Sequence, residues 1–283
     1  MNYALVQEQR TGMRKTSQDY AGHDATEKAL LLTVADGMGG YSGGELAAEI
    51  AVGSVLHSFS SEAQPKLAEP DVFLERAFAR AHVAIQRYAH EKELPEVPRT
   101  VIVACVVQEG YAWWNHVGDA RLYLARDGRI EAQTKDHSLV QALVDAGEIL
   151  AEQAYSHPES CRVLQSLGAP IAPEPGPGAS ARLQKDDLLL LCSDGFWGPL
   201  RIGQLLKGLK GPSLRQSITE LSNIAERRAG SHGDNLTVLA VRWQDEKVSP
   251  TARNATRPDS RDDGAWHAAK AASGSHRSKT RTG

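Results

Sequence analysis

KALLLTVAD, residues 28–36, is a continuous run of apolar residues that ends at an aspartate. A short run of this kind is typical of a β-strand that is buried on both faces. DDLLLLCSD, residues 186–194, contains a second such run and also ends at an aspartate. The two segments therefore predict strands in the interior of the fold, each of which delivers a carboxylate at its end.

Other segments complete an α+β pattern. Alternating or apolar runs bounded by turn residues predict strands at residues 3–8, 100–108, 111–119, 121–126, 129–133 and 235–243. Apolar residues at helical spacing predict helices over residues 44–59, 70–91, 138–147, 199–209 and 213–228. Short connections between neighbouring strands require antiparallel pairing. We therefore predict an α+β fold in which two mainly antiparallel β-sheets pack face to face as a sandwich, with helices on both outer sides.

The domain organisation follows from where this patterning stops. Residues 1–244 are predicted to form one domain, in which the polar residues 148–163 are interpreted as a mobile flap. After Trp243 the apolar periodicity ends, and Ser, Thr, Ala, Arg and Asp dominate residues 245–283. We expect this mildly basic tail to be disordered. A solvated tail is the simpler interpretation, and binding of an acidic partner is the alternative.

Composition excludes several classes of protein. With 283 residues and a formal net charge of −3, the chain has no general attraction for nucleic acid or membranes. The sequence has no run of about 18 apolar residues, and its N-terminus does not resemble a signal peptide. The three cysteines form no C-x-x-C pair, and none begins the C-x₅-R loop of cysteine-dependent phosphatases. We therefore expect a reducing, cytoplasmic compartment and no cysteine nucleophile.

Aspartates at predicted strand ends are the candidate metal ligands. Asp-Gly is a common turn dipeptide, which explains Asp127-Gly128 in a predicted hairpin. At Asp36 and Asp194 the preceding buried strand favours a position at the mouth of a sheet instead. The full set of candidates is Asp19, Asp36, Asp119, Asp194 and Asp234. Carboxylates without soft ligands suit Mg²⁺ or Mn²⁺ and predict metal-assisted phosphoryl hydrolysis.

A few neighbouring residues have candidate roles of their own. Gly37 has no Cβ, so its backbone could approach an ion closely enough for the carbonyl to be a ligand. Arg14 is placed to bind a phosphate with its guanidinium fork, and an ordinary surface arginine is the alternative. His116 and His137 are candidate general acids, although hydrogen-bonded structural histidines are the more common case.

These motifs resemble those of the metal-dependent protein phosphatases, the type 2C serine/threonine phosphatases, and specifically their compact bacterial members. The resemblance covers residues 3–243, with the motifs in the family's order: GMRKTSQDY, ADGMGG, VGDARLY, TKDHSLVQALVDAGEI, LLLLCSDGFW and GDNLTVL. It implies a β-sandwich flanked by helices. It also implies hydrolysis of phosphoserine and phosphothreonine in proteins by a metal-activated water.

The resemblance assigns the metal ligands residue by residue. It implies that Asp36 bridges two Mn²⁺ or Mg²⁺ ions and that Gly37 offers its carbonyl to one of them. Asp194 and Asp234 would hold the second ion. Asp119 resembles the ligand of a third, weaker ion in bacterial members.

Two further roles and two departures complete the comparison with the family pattern. Asp19 would support the metal site directly or through water, and Arg14 would bind the substrate phosphate. Ser17-Gln18 stands where the family usually has Asn-Glu or Asn-Gln, so one negative charge can be missing near the ions and metal affinity lowered. Met38 stands where some eukaryotic members place a histidine proposed as general acid, so the resemblance leaves that role without a residue.

The predicted function is therefore a monomeric protein serine/threonine phosphatase that acts on phosphorylated proteins and opposes a bacterial serine/threonine kinase. One alternative is a weakly catalytic module that binds phosphoproteins, which the presence of Asp36, Asp194 and Asp234 disfavours. Another is a hydrolase of small phosphate esters. The long segment 148–180 disfavours that alternative, because it is a plausible contact region for protein substrates.

Overall fold

The apolar segment around residues 28–36 forms a central strand with a neighbour on each side. The computed structural model describes residues 1–38, 43–176 and 178–245. Its strands are β1 (Tyr3–Arg10), β2 (Asp19–Ala25), β3 (Ala29–Gly37), β4 (Thr100–Gln108), β5 (Tyr111–Val117), β6 (Arg121–Arg126), β7 (Arg129–Gln133), β8 (Ala179–Arg182), β9 (Leu188–Cys192) and β10 (Leu236–Trp243). Its helices are α1 (Gly44–Glu62), α2 (Pro70–Glu91), α3 (Leu139–Asp145), α4 (Ala151–Ala154), α5 (Asp194–Trp197), α6 (Ile202–Gly208) and α7 (Leu214–Ala229), and a 3₁₀ turn spans Gly230–His232.

The strands form two five-stranded sheets. The first sheet has the order β1-β10-β9-β6-β7, and the second has the order β2-β3-β4-β5-β8. Every pairing between neighbouring strands is antiparallel. The last strand, β10, therefore lies between the first strand and β9, and it joins the two ends of the described chain in one sheet.

Burial on both faces explains the apolar runs. In β3, Leu31 and Ala35 pack against α1 and α2, whereas Leu30, Leu32 and Val34 pack between the two sheets. Residues of β9 alternate in the same way between the core shared by the sheets and the core beneath α5, α6 and α7. The protein is thus a sandwich of helices, sheet, sheet and helices, and the predicted fold class is confirmed.

Two strands lie in segments for which the sequence predicts no regular structure. β2 has the sequence DYAGHDA, which lacks a run of β-branched or aromatic residues. It is an edge strand that forms because it pairs along its whole length with β3. β8 is a four-residue edge strand paired with the end of β5. Both strands depend on distant partners, which local sequence patterns do not report.

The helices agree with the predicted ones apart from their ends. Ser138 and Ser213 are the N-cap residues of α3 and α7. Each hydroxyl accepts a hydrogen bond from the backbone N–H three residues later, at 3.3 Å in both helices. The predicted helix over residues 199–209 begins at Ile202, and the single turn α5 precedes it. The segment 148–163, predicted to be an irregular flap, contains the short helix α4.

The cysteines, the helices and the domain organisation complete the description of the fold. Cys105 and Cys192 are buried, and Cys161 is an exposed free thiol. Within the described residues, no helix is both long and apolar enough to cross a bilayer. The described residues belong to one compact unit. The tail predicted for residues 245–283 lies outside the described residues from position 246 onward.

A buried ion pair joins the β6–β7 hairpin to the start of β9. Arg126 donates from Nε and Nη2 to the two carboxylate oxygens of Asp187, at 2.8 and 2.6 Å. The Asp187 side chain is fully buried, and it also accepts a hydrogen bond from the Gln184 backbone N–H at 2.8 Å. Arg129 and Glu131 form a second ion pair at 3.0 Å on the same hairpin, but the Arg129 side chain is 73% exposed.

These two ion pairs predict different costs for the same kind of substitution. Arg126→Met leaves the Asp187 carboxylate buried without its cation and should lower the free energy of unfolding by about 3 kcal/mol. Arg129→Met breaks only the exposed pair and should change it by less than about 0.5 kcal/mol. Urea denaturation of both variants at pH 7 measures the difference. Equal costs would show that burial of Asp187 does not control the energy of its ion pair.

Candidate active site

Strand ends from both sheets meet at one edge of the sandwich. Asp19, the first residue of β2, lies opposite Asp36 near the end of β3 in the strand register. Asp194 follows β9 and begins α5, and Asp234 lies two residues before β10. Asp119 occupies the turn between β5 and β6, which connects the two sheets. The fold thus brings together all five predicted aspartates, two from the second sheet, two from the first and one from the turn between them.

A serine hydroxyl connects the aspartates of the two sheets. Ser193 donates a hydrogen bond to Asp19 Oδ2 at 2.6 Å. Its oxygen accepts one from the Thr237 backbone N–H at 2.9 Å. Both Ser193 and Asp19 are buried. Ser193 is not among the residues predicted from the sequence, although its place directly before Asp194 is a usable signal.

The glycines after Asp36 and Asp194 are required by close backbone packing. A Cβ on Gly37 would lie 2.3 Å from the backbone oxygen of Gly44, at the start of α1. A Cβ on Gly195 would lie 2.1 Å from the backbone oxygen of Asn235. These Asp-Gly pairs are therefore contact points between elements and not surface turns. Asp127-Gly128, in contrast, has positive φ at both residues and forms the predicted hairpin turn.

Burial and mutual repulsion raise the pKa values of four aspartates in the cluster, namely Asp19, Asp36, Asp119 and Asp194. Burial is the largest cause at each of four aspartates and raises the pKa of Asp19 to about 6, that of Asp119 to about 7 and that of Asp194 to about 8. The pKa of Asp36 lies well above its usual range because of burial and the charges of Asp19 and Asp194. At neutral pH, these groups therefore carry less negative charge than free aspartates.

The arrangement fits a site for hard divalent cations in its chemistry. Asp19 Oδ1 and Asp194 Oδ1 are buried oxygens with no hydrogen-bond partner. Asp36 lies within hydrogen-bonding range of both Asp19 and Asp194. In the described part of the chain, no three His, Cys, Asp or Glu side chains are already gathered closely enough around one point to hold an ion. The carboxylates instead contact one another in pairs, and a cation among them would satisfy the free oxygens and offset their repulsion.

Arg14 lies on the loop beside these carboxylates. Its Nη2 atom donates to Asp234 Oδ2 at 2.7 Å, and its side chain is 52% exposed. The pKa of Arg14 is raised by the hydrogen bond and charge of Asp234, and less strongly by the charges of Asp194 and Asp36. The structure thus places the predicted phosphate-binding cation at the aspartate cluster, with half of its surface open to solvent.

Asn235 organises the loop that carries Arg14. Its amide donates to the backbone oxygens of Thr11 and Thr16 at 2.8 and 3.0 Å, and its oxygen accepts from the Gln18 backbone N–H at 2.7 Å. Asn235 is buried, so these contacts satisfy a side chain that would otherwise be costly to bury. In the motif GDNLTVL, only Asp234 has a role predicted from the sequence, and that of Asn235 was missed.

An aromatic and charged group supports the turn that carries Asp119. Arg121 forms two hydrogen bonds of 2.7 Å with the carboxylate of Asp136. Its guanidinium stacks 3.3 Å above the centre of the Trp197 ring. Trp197 Nε1 in turn donates to the Asp119 backbone oxygen at 3.0 Å. Local sequence did not reveal this group, because its members come from three separate segments.

The two candidate histidines lie beside the turn that carries Asp119. Their rings stack with centroids 4.4 Å apart. His137 Nδ1 accepts a hydrogen bond from the Gly118 backbone N–H at 3.2 Å, and His116 Nε2 contacts the Lys135 backbone oxygen at 2.7 Å. Burial is the main cause that lowers both pKa values, that of His137 to about 4. These contacts agree with the structural alternative, in which neutral imidazoles hold the turn before Asp119.

A cleft of about 460 Å³ opens at the aspartate cluster. Asp119, Asp194 and Asp234 line it on one side. Tyr155 and Cys161, from the predicted flap, line it on another. The segment 148–163 therefore contributes to the wall of the cleft, although its predicted mobility stays a prediction.

Comparison with known proteins identifies relatives over most of the chain. The model of the family described as protein phosphatase 2C matches residues 9–237. Serine/threonine protein phosphatase PstP of Mycobacterium tuberculosis is 32% identical over 232 residues, which cover 81% of this chain and 42% of that protein. The chain therefore spans less than half the length of this relative. Serine/threonine phosphatase stp of Listeria innocua is 30% identical over 243 residues, 84% of this chain and 95% of that protein.

A solved structure shares the fold. The crystal structure of the catalytic domain of serine/threonine protein phosphatase PstP, in complex with two manganese ions, superposes with a TM-score of 0.74 at 28% identity. The match covers 86% of this chain and 99% of that domain. The sandwich described above is thus the architecture of a catalytic domain that binds manganese in this neighbour.

The raised pKa values predict how stability depends on pH. In the unfolded chain an aspartate titrates near pH 4, whereas the folded Asp194 titrates at about 8. As pH rises between these values, the unfolded chain loses its protons first, so folding is progressively disfavoured until the folded group also ionises. In EDTA, the wild-type protein should therefore unfold at a lower temperature at pH 8 than at pH 5.

Asp194→Asn should relieve part of this cost. In EDTA at pH 8, we expect a melting temperature about 5 °C above that of the wild type, with a smaller difference between pH 5 and pH 8. Glu174→Gln, which removes an exposed charge, is the control and should follow the wild type. Differential scanning calorimetry at both pH values measures the effect. A melting temperature of Asp194→Asn at or below that of the wild type at pH 8 would contradict the repulsion argument.

Proposed function

The chain belongs to the protein phosphatase 2C family, and on this premise we propose that it is a metal-dependent protein serine/threonine phosphatase. Its substrates are phosphoserine and phosphothreonine side chains of proteins. The observation that carries the proposal is the meeting of Asp36 and Asp194, with strongly raised pKa values, beside Arg14. Such a cluster has the charge to bind divalent cations and an adjoining guanidinium to bind a phosphate.

The metal site of the proposal uses residues from both sheets. Asp36 would serve as a ligand for two Mn²⁺ or Mg²⁺ ions, and the Gly37 carbonyl would be a ligand of one of them. Asp194 and Asp234 would hold the second ion, and Asp119 would hold a third, weaker one. The two manganese ions in the PstP catalytic domain support metal binding by this fold, and the free buried oxygen of Asp194 supports a cation at the cluster.

Residues of the chain would position the phosphate and the ligands. Bound ions supply the positive charge that acidifies a coordinated water and neutralises the phosphoryl oxygens. Arg14 contributes a planar pair of donors that fits two phosphate oxygens, and Asn235 holds the loop that carries it. Asp19 supports the cluster directly or through water, and its bond from Ser193 fixes the position of its carboxylate.

One of the two departures from the family pattern, Ser17-Gln18, has a structural setting here. Ser17 accepts a hydrogen bond from Gln9 Nε2 at 2.9 Å, and the same amide donates to the Asp19 backbone oxygen at 2.8 Å. Gln18 contributes its backbone oxygen to the Gly37 N–H at 3.0 Å. These contacts would keep the loop in place without the charge of the family's glutamate, so the proposed consequence is weaker metal binding and not loss of the site.

The proposal extends to the cellular setting. The partner is a serine/threonine protein kinase whose products this enzyme dephosphorylates, and the enzyme acts as a monomer. Residues 1–244 form its catalytic domain. A cytoplasmic location is consistent with the three free cysteines, one of which is exposed.

Two other functions remain as alternatives to test. A phosphoprotein-binding module would need only Arg14 and the cleft, but it gives no reason for carboxylates to be buried together at a cost in stability. A hydrolase of small phosphate esters would use the same chemistry. The volume of the cleft, about 460 Å³, favours a larger substrate than such an ester.

Hydrolysis of a phosphothreonine peptide tests the proposal directly. Purified protein should release phosphate with Mn²⁺ and lose activity in EDTA. Asp36→Asn should lower kcat/KM more than about 100-fold, since loss even of groups that support metal ligands costs up to that factor. Glu174→Gln serves as the control. If folded wild-type protein releases no phosphate at saturating Mn²⁺ from any phosphopeptide or small ester, the enzyme hypothesis is wrong.

The role of Arg14 has a separate test. Arg14→Ala removes charge-assisted hydrogen bonds to phosphate and should lower kcat/KM by about 10- to 100-fold. Lys15→Ala removes the neighbouring exposed cation and should have less than about a twofold effect. Calorimetric titration with Mn²⁺ should give similar affinities for both variants. Equal activity losses in the two variants would argue that Arg14 acts only through general surface charge.

A further inference from the structure

An apolar surface borders the aspartate cluster inside the cleft. It consists of Tyr155, Pro199, Leu200 and Ile202, which we name the apolar shelf. Tyr155 is 58% exposed and Ile202 is 42% exposed. Large apolar side chains with this exposure, gathered beside a candidate catalytic site, are typical of a binding surface.

The Tyr155 side chain extends from the segment 148–163 to the end of α5, the helix that begins at Asp194. A Cβ built on Gly198 would lie 2.8 Å from Cε2 of the Tyr155 ring, so the ring rests on the bare backbone of that glycine. Gly198 is one helical turn from Asp194, since its N–H donates to the Asp194 oxygen at 2.8 Å. The pKa of Tyr155 is raised by burial and by the charge of Asp194. The ring therefore rests on the backbone one helical turn, a rise of roughly 5 Å, after a proposed metal ligand.

The rest of the shelf is held in place by the first sheet's helices. Leu200 donates its N–H to the Trp197 oxygen at 3.1 Å. It also packs against the buried core beneath α5, α6 and α7. Arg228 of α7 donates to the Pro199 oxygen at 3.0 Å. Because its backbone is fixed, the shelf presents a preformed surface to a ligand.

The shared cleft indicates the occupant, because the shelf and Asp119, Asp194 and Asp234 line the same opening. Consecutive residues of an extended peptide are about 3.5 Å apart along the chain. A peptide with its phosphorylated residue at the aspartate cluster would therefore bring a neighbouring residue within reach of the shelf. The cleft of about 460 Å³ also lies within the range of roughly 300 to 1,000 Å³ that holds ligands much larger than a phosphoryl group.

We propose that the apolar shelf, with Tyr155 at its centre, binds an apolar side chain next to the phosphorylated residue and thereby selects the substrate sequence. This inference rests on the proposed phosphatase function. Tyr155 is then a specificity-determining residue that contacts the substrate outside the phosphoryl group. Its contribution is to peptide binding, so it affects KM for peptides and not the chemistry at the phosphorus.

Three substrates test the inference. Two are phosphothreonine peptides that differ only in having leucine or glycine on each side of the phosphothreonine, and the third is p-nitrophenyl phosphate. The wild-type enzyme with Mn²⁺ should show a kcat/KM about tenfold higher for the leucine peptide, with the difference in KM. Tyr155→Ala should reduce this ratio to less than about twofold and leave p-nitrophenyl phosphate hydrolysis within about twofold of the wild type.

Two further variants are controls. Tyr155→Phe keeps the apolar ring and should keep the preference for leucine. Leu150→Ala removes a 67% exposed apolar side chain from the same segment, outside the cleft lining, and should also keep it. Equal rates for the two peptides in the wild type would overturn the shelf proposal. So would a Tyr155→Ala variant that loses p-nitrophenyl phosphate activity as strongly as peptide activity. Absence of metal-dependent activity on all three substrates would instead overturn the proposed function itself.

Discussion

Repulsion among aspartates held between two sheets is the constraint on which the site depends. Ionised carboxylates that lie this close together repel one another, so they tend to separate or to bind protons. The raised pKa values of Asp36 and Asp194 are a consequence of this repulsion and of burial. The fold resists separation because each carboxylate comes from a strand end or tight turn that is already packed. Gly37 and Gly195 allow the backbones behind them to touch their neighbours. The same packing makes the cluster costly without a cation, and a divalent cation among the carboxylates would offset their repulsion.

The two sheets are joined at the site as well as through their shared core. Ser193 hydrogen-bonds Asp19 across the sandwich, and Asn235 of the first sheet anchors the loop that leads into β2. Trp197 anchors the turn that carries Asp119, through a hydrogen bond from its indole N–H to the Asp119 backbone oxygen. The Asp19 carboxylate and the Asp119 turn are therefore positioned by residues from distant parts of the chain. This interlocking explains how carboxylates from separate segments are held in one cluster.

Strands and site residues could be predicted from the sequence where a single continuous segment contained the pattern that indicates them. The apolar runs of β3 and β9 revealed both the strands and their terminal aspartates, because burial on two faces leaves no polar alternation. β2 was missed because its residues have weak strand propensity and its order comes from pairing with β3. Ser193 and Asn235 were missed for a related reason. Their roles lie in hydrogen bonds to segments more than a hundred residues away, and a polar residue beside an aspartate does not indicate its partner.

The position of β10 between β1 and β9 has a consequence for biosynthesis. In the described sheets, β1 pairs with β10 alone, so the earliest of the described strands in chain order waits for the latest one. Asp234 and Asn235 emerge equally late, and the loop that carries Arg14 lacks the hydrogen bonds of Asn235 until they do. A nascent chain therefore exposes the unpaired edge of β1 until β10 has been made, and unpaired strand edges favour aggregation during synthesis.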